Sequence, residues 1–425
     1  MKHQLALLIT AVVVVAGIAA AVAIPAPKPA PQQITLPDSR MVTCPIGDAG
    51  MGTTAISVAD QQEFTTALVG GTASAPATTA SFDNPAQPVI VRGSATVSGV
   101  STYTEDNQTM AVPCTPPITS GTWNGIDTKD YSATLFLTDV DASSAVVDVF
   151  LYSETGPLPG MSDITVTSGA PQMLALDQIA PSDTPISVQI RTSRGRVAAQ
   201  LRLIASQGSG VDWQLPQISP STNLVMAGIP AGDGTRTLSV TNTSSTAIAN
   251  VQFQIFGASG PITPLGQNSV QVMANQTRSI DITQALAGQA SAVALTSDQP
   301  VTATVTADGP DMTGISGQQP LNGGIVMPAI GGTLWVANSG TTETSVTVSQ
   351  DDGNGSLQTK QLSIPAQATV SESFPSTGAP VFIASDSPDV YASLALTDTT
   401  WSILPLSGGS ATATVPVPGL DPGLG

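Results

Sequence analysis

The stretch SATLFLTDVDASSAVVDVFLY, residues 132–152, decides the fold class of this chain. Apolar residues alternate with polar ones on both sides of the polar segment DVDASS, which is the pattern of half-buried β-strands. The same plan recurs in TLSVTNTSSTAIANVQFQIFG and in TLWVANSGTTETSVTVSQDDG, with Thr134, Thr237 and Thr333 in matching places. We interpret each copy as two strands joined by a polar turn.

Further strand patterns accompany each of these segments and define a repeat. Its period of about 100 residues, with six or seven short strands, is typical of an immunoglobulin-like β-sandwich. The sequence therefore predicts an all-β protein of tandem immunoglobulin-like modules at residues 126–230, 231–324 and 325–410. Residues 41–125 match poorly and are interpreted as a degenerate N-terminal β domain, and residues 411–425 as a disordered tail. The alternative is a closed arrangement, in which modules exchange strands about a pseudo-symmetry axis.

Composition supports the all-β prediction and excludes several functions. The 425 residues include 39 glycines and 34 prolines, which interrupt long helical periods. A formal net charge of −18 argues against a nucleic-acid partner, because such proteins need a basic surface. The single histidine, His3, precedes the first apolar run, which excludes a Ser-His-Asp triad or a histidine-ligated zinc site in the rest of the chain. We expect no cofactor and no metal site.

The N-terminal region predicts export. Residues 5–24, LALLITAVVVVAGIAAAVAI, carry no charge and are long enough for a transmembrane helix, and Lys2 before them favours a cytoplasmic N-terminus. We expect residues 1–24 to be an uncleaved signal anchor that holds an extracytoplasmic body at the cell membrane. The alternative is a signal peptide cleaved near Ala21-Val22-Ala23, which would give a secreted protein. The Pro-rich residues 25–40 are predicted to be an extended spacer.

The sequence has two cysteines, Cys44 and Cys114. In an exported chain an even number of cysteines indicates a disulfide, which we expect inside the N-terminal β domain. Two buried free thiols are the alternative.

Basic residues are concentrated in ISVQIRTSRGRVAAQLRL, residues 186–203, which holds Arg191, Arg194, Arg196 and Arg202. Alternation predicts a hairpin with Arg191, Arg196 and Arg202 facing solvent and Arg194 in its turn. The patch is either an ordinary solvated face or a docking site for an anionic envelope polymer or a partner protein, because guanidinium groups suit carboxylate and phosphate.

Carboxylates are the remaining candidates for catalysis. Asp139 and Asp141 lie in the polar segment of the first repeat, and Asp351 and Asp352 begin the segment DDGNGS. Paired carboxylates can serve as general acid and base, although acidic residues are also common at turns. We expect DDGNGS to be a hairpin turn rather than a calcium loop, because it lacks the closing Glu of an EF-hand.

Five segments carry a family resemblance: CTPPITSGTWNGIDT, AVVDVFLYSETGPLPG, TSRGRVAAQLRL, VDWQLPQISP and LVMAGIP. Together they resemble an actinobacterial family of exported, single-span proteins of unknown function, whose members are often encoded near a glycosyltransferase. The resemblance covers most of residues 40–400. It implies the compartment and the modular body, supplies no catalytic residue, and suggests a role in assembly of envelope glycopolymers.

These observations predict a membrane-tethered, extracytoplasmic, non-enzymatic β-sandwich protein that acts as a binding or scaffolding component in cell-envelope assembly. The alternatives are a carboxylate-based enzyme acting on envelope glycans and a purely structural spacer. The expected partners are an envelope protein or an anionic glycopolymer, together with the membrane through residues 5–24.

Overall fold

A computed structural model describes residues 32–35, 40–45, 52–58, 63–93, 97–105, 108–206, 210–264, 268–321, 323–327, 330–351, 357–375, 381–396, 401–406 and 412–415. The chain is all-β, as predicted, and the helices in these ranges are two of four residues each, α1 (Leu176–Ile179) and α2 (Thr283–Leu286). The described residues include no helix of the length and apolarity that a membrane span needs. The predicted anchor at residues 5–24 lies outside them.

The chain divides into two compact units. One comprises residues 1–37 and 410–425, in which strand β1 (Gln32–Thr35) pairs antiparallel with the last strand, β33 (Thr412–Val415). The sequence had assigned these segments to the spacer and to the disordered tail. The β-branched residues Ile, Thr and Val in the two segments favour the pairing.

The second unit, residues 38–409, contains four consecutive strand sets. Set 1 comprises β2 (Arg40–Cys44), β3 (Gly52–Val58), β4 (Phe64–Leu68), β5 (Thr79–Asp83), β6 (Val89–Gly93), β7 (Val97–Glu105) and β8 (Gln108–Pro113). Set 2 comprises β9 (Ser120–Ile126), β10 (Tyr131–Asp139), β11 (Ala145–Ser153), β12 (Gly156–Val166), β13 (Gln172–Ala175), α1, β14 (Ile186–Arg194), β15 (Val197–Ala205) and β16 (Val211–Gln214). Set 3 comprises β17 (Ser221–Ile229), β18 (Thr235–Asn242), β19 (Ala249–Gly257), β20 (Gly260–Ile262), β21 (Ser269–Val272), β22 (Gln276–Asp281), α2, β23 (Ser291–Asp308) and β24 (Met312–Ser316). Set 4 comprises β25 (Gly323–Met327), β26 (Gly332–Asn338), β27 (Thr344–Asp351), β28 (Leu357–Ile364), β29 (Ala368–Phe374), β30 (Val381–Ser385), β31 (Val390–Ala395) and β32 (Ile403–Leu406).

Sets 2 and 4 have the same topology. The strands of set 2 form two four-stranded sheets, in the orders β12-β11-β14-β9 and β13-β10-β15-β16. The equivalent strands of set 4 have the same orders, β28-β27-β30-β25 and β29-β26-β31-β32. β9 pairs with β14, and β17 pairs with β23. The first strands of sets 2 and 3 therefore lie N-terminal to the boundaries predicted at residues 126 and 231.

Sets 3 and 1 follow the same plan, with two changes in set 3 and one in set 1. In set 3 two short strands, β20 and β21, pair with β19 where set 2 has β12 alone. In set 3 a single strand of 18 residues, β23, takes the place of both β14 and β15, which joins the two sheets. In set 1 the orders are β4-β6-β2 and β5-β3-β7-β8, and no strand among its described residues corresponds to β12. Set 1 therefore has the topology of the repeat although its sequence does not show it.

The polar segments of the repeat do not form hairpin turns between paired strands. The hairpin predicted at residues 186–203 was wrong for the same reason, because β14 and β15 lie in different sheets. β10 and β11 lie in different sheets and pair antiparallel with β15 and β14, respectively. The register runs from Tyr152 opposite Ser187 to Tyr131 opposite Ala205. The two chain segments are therefore continuous partners that cross together from one sheet to the other. Alternation gives the buried face of a strand but not its partner, which is why the prediction failed.

Each set encloses an apolar core. In set 2 the core side chains come from alternate positions of facing strands, for example Leu135, Leu137 and Val147. Burial of each such side chain contributes about 1.5–3 kcal/mol. Sets 3 and 4 have cores of the same kind, and a smaller core in set 1 includes Cys44 and Cys114.

The four sets form a closed ring. Their last strands, β8, β16, β24 and β32, contact one another in cyclic order. Sets 4 and 1 close the ring, because Val100 and Ala111 of set 1 join the core of set 4 and the Ala111 amide donates to Ser402 Oγ at 2.7 Å. The ring is a closed arrangement like the alternative considered above, but each set keeps its own strands.

Candidate anion-binding surface

The arginine-rich stretch lies where the paired strands of set 2 bend from one sheet to the other. Opposite the bend, residues 140–144 leave the sheet between β10 and β11. Gly195 has a φ of +70° at the bend, and a Cβ atom there would lie 3.1 Å from the Ala145 Cα atom. A glycine is favoured at this position because the backbone is left-handed and the two segments approach closely.

Two of the predicted arginines hold residues 140–144 from the strand opposite. Arg196 donates from Nε to Asp141 Oδ2 at 2.9 Å and from Nη2 to Asp141 Oδ1 at 3.1 Å. Arg194 donates from Nε to the Ser144 carbonyl at 3.1 Å. The first contact is a bidentate guanidinium–carboxylate pair, which fixes the orientation of both side chains.

A third arginine reaches the same segment from the neighbouring set. Arg92, on β6 of set 1, donates from Nη2 to the Val140 carbonyl at 3.3 Å. Sequence analysis missed Arg92 because it lies far along the chain from the other arginines, and only the ring arrangement brings it to them.

Arg191 continues the surface along β14. Its guanidinium carbon lies 5.2 Å from the centre of the Phe150 ring, and Phe150 is 37% exposed. Arg191 is directly opposite Asp148 on β11, and Asp148 Oδ1 accepts the Asp163 amide at 2.9 Å. We use the name arginine surface for the set of Arg92, Arg191, Arg194 and Arg196.

Arg202, the fourth arginine of the predicted patch, is separate from this surface. It lies on β15 in the other sheet, with its guanidinium carbon 5.3 Å from the Phe136 ring centre and 5.8 Å from that of Trp213. Trp213 stacks on Tyr103 of set 1 with ring centres 5.6 Å apart, and burial raises the pKa of the Tyr103 phenol. Arg202 therefore packs into the junction between sets 1 and 2.

The carboxylates considered for the alternative of an enzyme are not gathered in one place, because Asp139 and Asp141 belong to set 2 and Asp351 belongs to set 4. Asp139 is buried, burial raises its pKa, and its Oδ1 accepts the Asp141 amide at 3.0 Å. Asp141 is engaged by Arg196, and Asp351 ends β27 in set 4. Asp352 and the rest of DDGNGS lie outside the described residues. Within the described ranges, no group of three or more His, Cys, Asp or Glu side chains is placed to hold a metal ion.

Two further carboxylates, which the sequence analysis did not single out, join neighbouring sets near the ring axis. Asp212 Oδ2 accepts the Gly314 amide at 2.8 Å, and Asp311 Oδ2 accepts the Trp401 amide at 2.8 Å. Burial, with a smaller contribution from the charge of Asp311, raises the pKa of Asp212 to about 7. Burial also raises the pKa of Asp311. These carboxylates therefore hold sets 2, 3 and 4 together.

Cys44 and Cys114 form the predicted disulfide, which links β2 to the residue that follows β8. Gly99 lies against the bond, because a Cβ atom there would overlap Cys114 Sγ and would lie 3.2 Å from Cys44 Sγ. The disulfide therefore occupies the space that a side chain would need at position 99.

The fold and its surface define an all-β, sandwich-like protein with one disulfide among its described residues and a repeated sheet topology. The chain belongs to the family of unknown function DUF5719, which matches residues 69–375. The membership in a family of unknown function that the sequence suggested is thereby confirmed.

Comparisons with other proteins add little to this family assignment. No curated protein matches the chain. A solved structure of a tetra-tandem repeat in the extending region of a large adhesion protein is similar at 12% identity, with 88% of this chain and 97% of that chain covered and a TM-score of 0.12. Streptomyces avermitilis α-L-rhamnosidase complexed with L-rhamnose is similar at 8% identity, with coverage of 85% and 54% and a TM-score of 0.12. Neither similarity supports a conclusion about function.

Proposed function

We propose that this protein is a membrane-tethered, extracytoplasmic scaffold that binds an anionic glycopolymer of the bacterial cell envelope through its arginine surface and catalyses no reaction. In this proposal residues 5–24 anchor the ring in the membrane, and the strand sets are divergent immunoglobulin-like modules. The actinobacterial envelope is the setting that the family resemblance suggests.

The concentration of basic side chains in an acidic protein is the observation that carries the proposal. Three of the twelve basic residues of the sequence bind residues 140–144 and come from two strand sets, and Arg191 extends the same surface along β14. The net charge of −18 repels anions from the rest of the molecule, so this surface is where an anionic polymer can approach. Guanidinium groups bind carboxylate and phosphate oxygens through parallel hydrogen bonds.

Two further observations support the compartment and the non-catalytic role. The Cys44–Cys114 disulfide is consistent with export, because disulfides persist in oxidising compartments. Asp141 is occupied by Arg196, whereas a general acid or base must reach a proton of the substrate.

Binding measurements on the full chain in detergent micelles test the proposal. The probes are polygalacturonate, which carries carboxylates, and dextran, which is neutral. A third probe, poly(glycerol phosphate), carries phosphodiesters. We expect wild-type protein to bind at least one of the two anionic probes and not dextran, with an affinity that falls as salt increases. A combined Arg92→Ser, Arg194→Ser and Arg196→Ser variant is expected to bind at least about tenfold more weakly, because three charge-assisted contacts are lost.

A matched control removes the same charge elsewhere. Lys129, Arg278 and Lys360 are exposed, and changing all three to Ser costs little stability because exposed ion pairs contribute little. We expect this control to keep its affinity. Equal losses in both triple variants would show that net charge alone attracts the polymer. A wild-type protein that binds neither polygalacturonate nor poly(glycerol phosphate) would refute the proposal.

A further inference from the structure

Arg191 differs from its neighbours in how its guanidinium group is used. Arg196 gives two donors to Asp141 and Arg194 gives one to a backbone carbonyl, whereas Arg191 lies over the Phe150 ring at 5.2 Å. A cation–π contact orients the guanidinium plane without using its N–H groups. Within the described residues, Arg191 therefore combines a fixed plane with donors that remain available to a ligand.

The acids beside Arg191 decide what kind of anion fits. Asp148 lies directly opposite Arg191, and the contact between its Oδ1 and the Asp163 amide brings a second acidic residue alongside. A dense polyanion such as an acidic polypeptide would bring its charges against these carboxylates and be repelled. A glycan with separated anionic groups can place one oxyanion on Arg191 and donate its hydroxyl hydrogens to Asp148 and Asp163.

On the basis of the proposed function, we propose that Arg191 contacts the anionic group of the ligand directly, and that the ligand is a glycan whose oxyanions are separated by hydroxyl groups. Arg191 donates two parallel hydrogen bonds to a sugar carboxylate or to a phosphodiester. Phe150 is a positioning residue, because it holds the guanidinium plane. The carboxylates of Asp148 and Asp163 accept from hydroxyl groups and disfavour densely charged ligands.

The test compares single variants of the full chain on three probes: polygalacturonate, poly(glycerol phosphate) and polyglutamate. Wild-type protein is expected to bind at least one of the first two about tenfold more tightly than polyglutamate, and the preferred probe identifies the oxyanion as carboxylate or phosphodiester. Arg191→Ser is expected to weaken glycan binding about tenfold, and Arg191→Lys about fivefold although charge is kept, because Lys cannot form the parallel pair. Phe150→Leu leaves net charge unchanged and is expected to weaken binding about threefold.

Controls separate this inference from the proposed function. Arg278→Ser removes one exposed charge elsewhere and is expected to leave binding unchanged, and denaturation midpoints show whether each variant is folded. Polyglutamate binding as tight as glycan binding would overturn the assignment of a glycan. If Arg191→Ser binds like wild type while the combined variant of Arg92, Arg194 and Arg196 loses binding, this inference fails and the proposed function stands. Failure of the wild type to bind either glycan probe refutes both.

Discussion

Replacing Asp139 by Asn is predicted to stabilise the protein at neutral pH, and the repeat itself supplies the reason. Asp139 ends β10 of set 2, and Asn242 ends the equivalent strand β18 of set 3. The Asn242 amide group donates to the carbonyls of Ala247 at 2.8 Å and Val272 at 3.1 Å. Its side-chain oxygen accepts the amide two residues further on, as Asp139 Oδ1 does.

Set 4 repeats the arrangement with Asn338, which donates to the carbonyls of Thr342 at 2.8 Å and Ile364 at 3.2 Å. In set 2 the corresponding atom is Asp139 Oδ2, which is buried and accepts no hydrogen bond of standard geometry, although burial raises the pKa of the carboxylate and the Val140 and Ala145 amides act on it to oppose that rise. An ionised carboxylate has no hydrogen to give to the carbonyls that an amide would reach. Val166 pairs with Ala145 as Ile364 pairs with Thr344. The Val166 carbonyl is therefore the acceptor at position 139 that corresponds to the Ile364 carbonyl at position 338.

The expected gain follows from the hydrogen bond to this acceptor. It raises the free energy of unfolding of Asp139→Asn by about 0.5–1.5 kcal/mol at neutral pH. Burial raises the pKa of Asp139 in the folded protein above its ordinary value of 3.8. The stabilising contribution of the wild-type acid is therefore fully present below that ordinary value and lost as pH rises through the raised one. The advantage of the Asn variant grows with pH over the same interval.

Urea denaturation of both proteins between about pH 3 and pH 8, where carboxylates titrate, measures this difference. The matched controls are Asn242→Asp and Asn338→Asp, which introduce in sets 3 and 4 the acid that set 2 has. Both are expected to lose stability at neutral pH and to recover part of it in acid. An Asp139→Asn variant no more stable than wild type at neutral pH, or Asn-to-Asp changes without cost, would refute the reasoning.

Three other substitutions test individual contacts within and between the strand sets. Asp212→Asn should flatten the pH dependence of the free energy of unfolding. Because the pKa of Asp212 is raised from 3.8 to about 7, its stabilising contribution is complete below the lower value and is lost as pH rises through the upper one, by no more than about 1.4 kcal/mol per pH unit. An unchanged slope in denaturation measurements at several pH values would contradict this. Gly99→Ala should cost about 1–3 kcal/mol in a denaturation experiment, because the added Cβ overlaps Cys114 Sγ; an unchanged midpoint would show that the backbone moves freely there. Arg236→Met should cost about 1–3 kcal/mol, because the buried Pro230 carbonyl loses its donor. It should also shift the fluorescence of Trp401, whose ring centre lies 4.4 Å from the Arg236 guanidinium carbon, and an unaltered spectrum would count against that contact.

Much of the fold was predictable because it depends on local pattern. Alternation identified the strands, and matching Thr134, Thr237 and Thr333 identified three copies of one plan. Export chemistry predicted the pair of Cys44 and Cys114, which the structure joins. These predictions succeeded because side-chain direction along a strand and cysteine pairing in an exported chain follow from rules that need no knowledge of distant contacts.

The errors have a common physical cause, which is that sheet partners are chosen over long distances. A polar segment between two alternating strands is compatible with a hairpin and with a strand that continues into a second sheet. β23 makes the second possibility explicit, because its 18 residues run through both sheets of set 3 without interruption. Set 1 was not recognised as a copy because its sequence has diverged while the pairing order was kept.

The arginine surface also depends on contacts between residues that are distant in the sequence. At the bend where set 2 has Arg194 and Arg196, set 3 has Asp298, which accepts the Asn250 amide at 2.8 Å, and set 4 has Asp386. One topology therefore accommodates opposite charges at the same bend, so folding does not require the arginines. The fold therefore does not fix the residue type at this bend, yet basic residues, which are rare in this acidic chain, occupy it and Arg92 from another set joins them. We expect such a position to have a role in binding. Only the closed ring reveals that convergence, because no spacing in the sequence relates Arg92 to the bend.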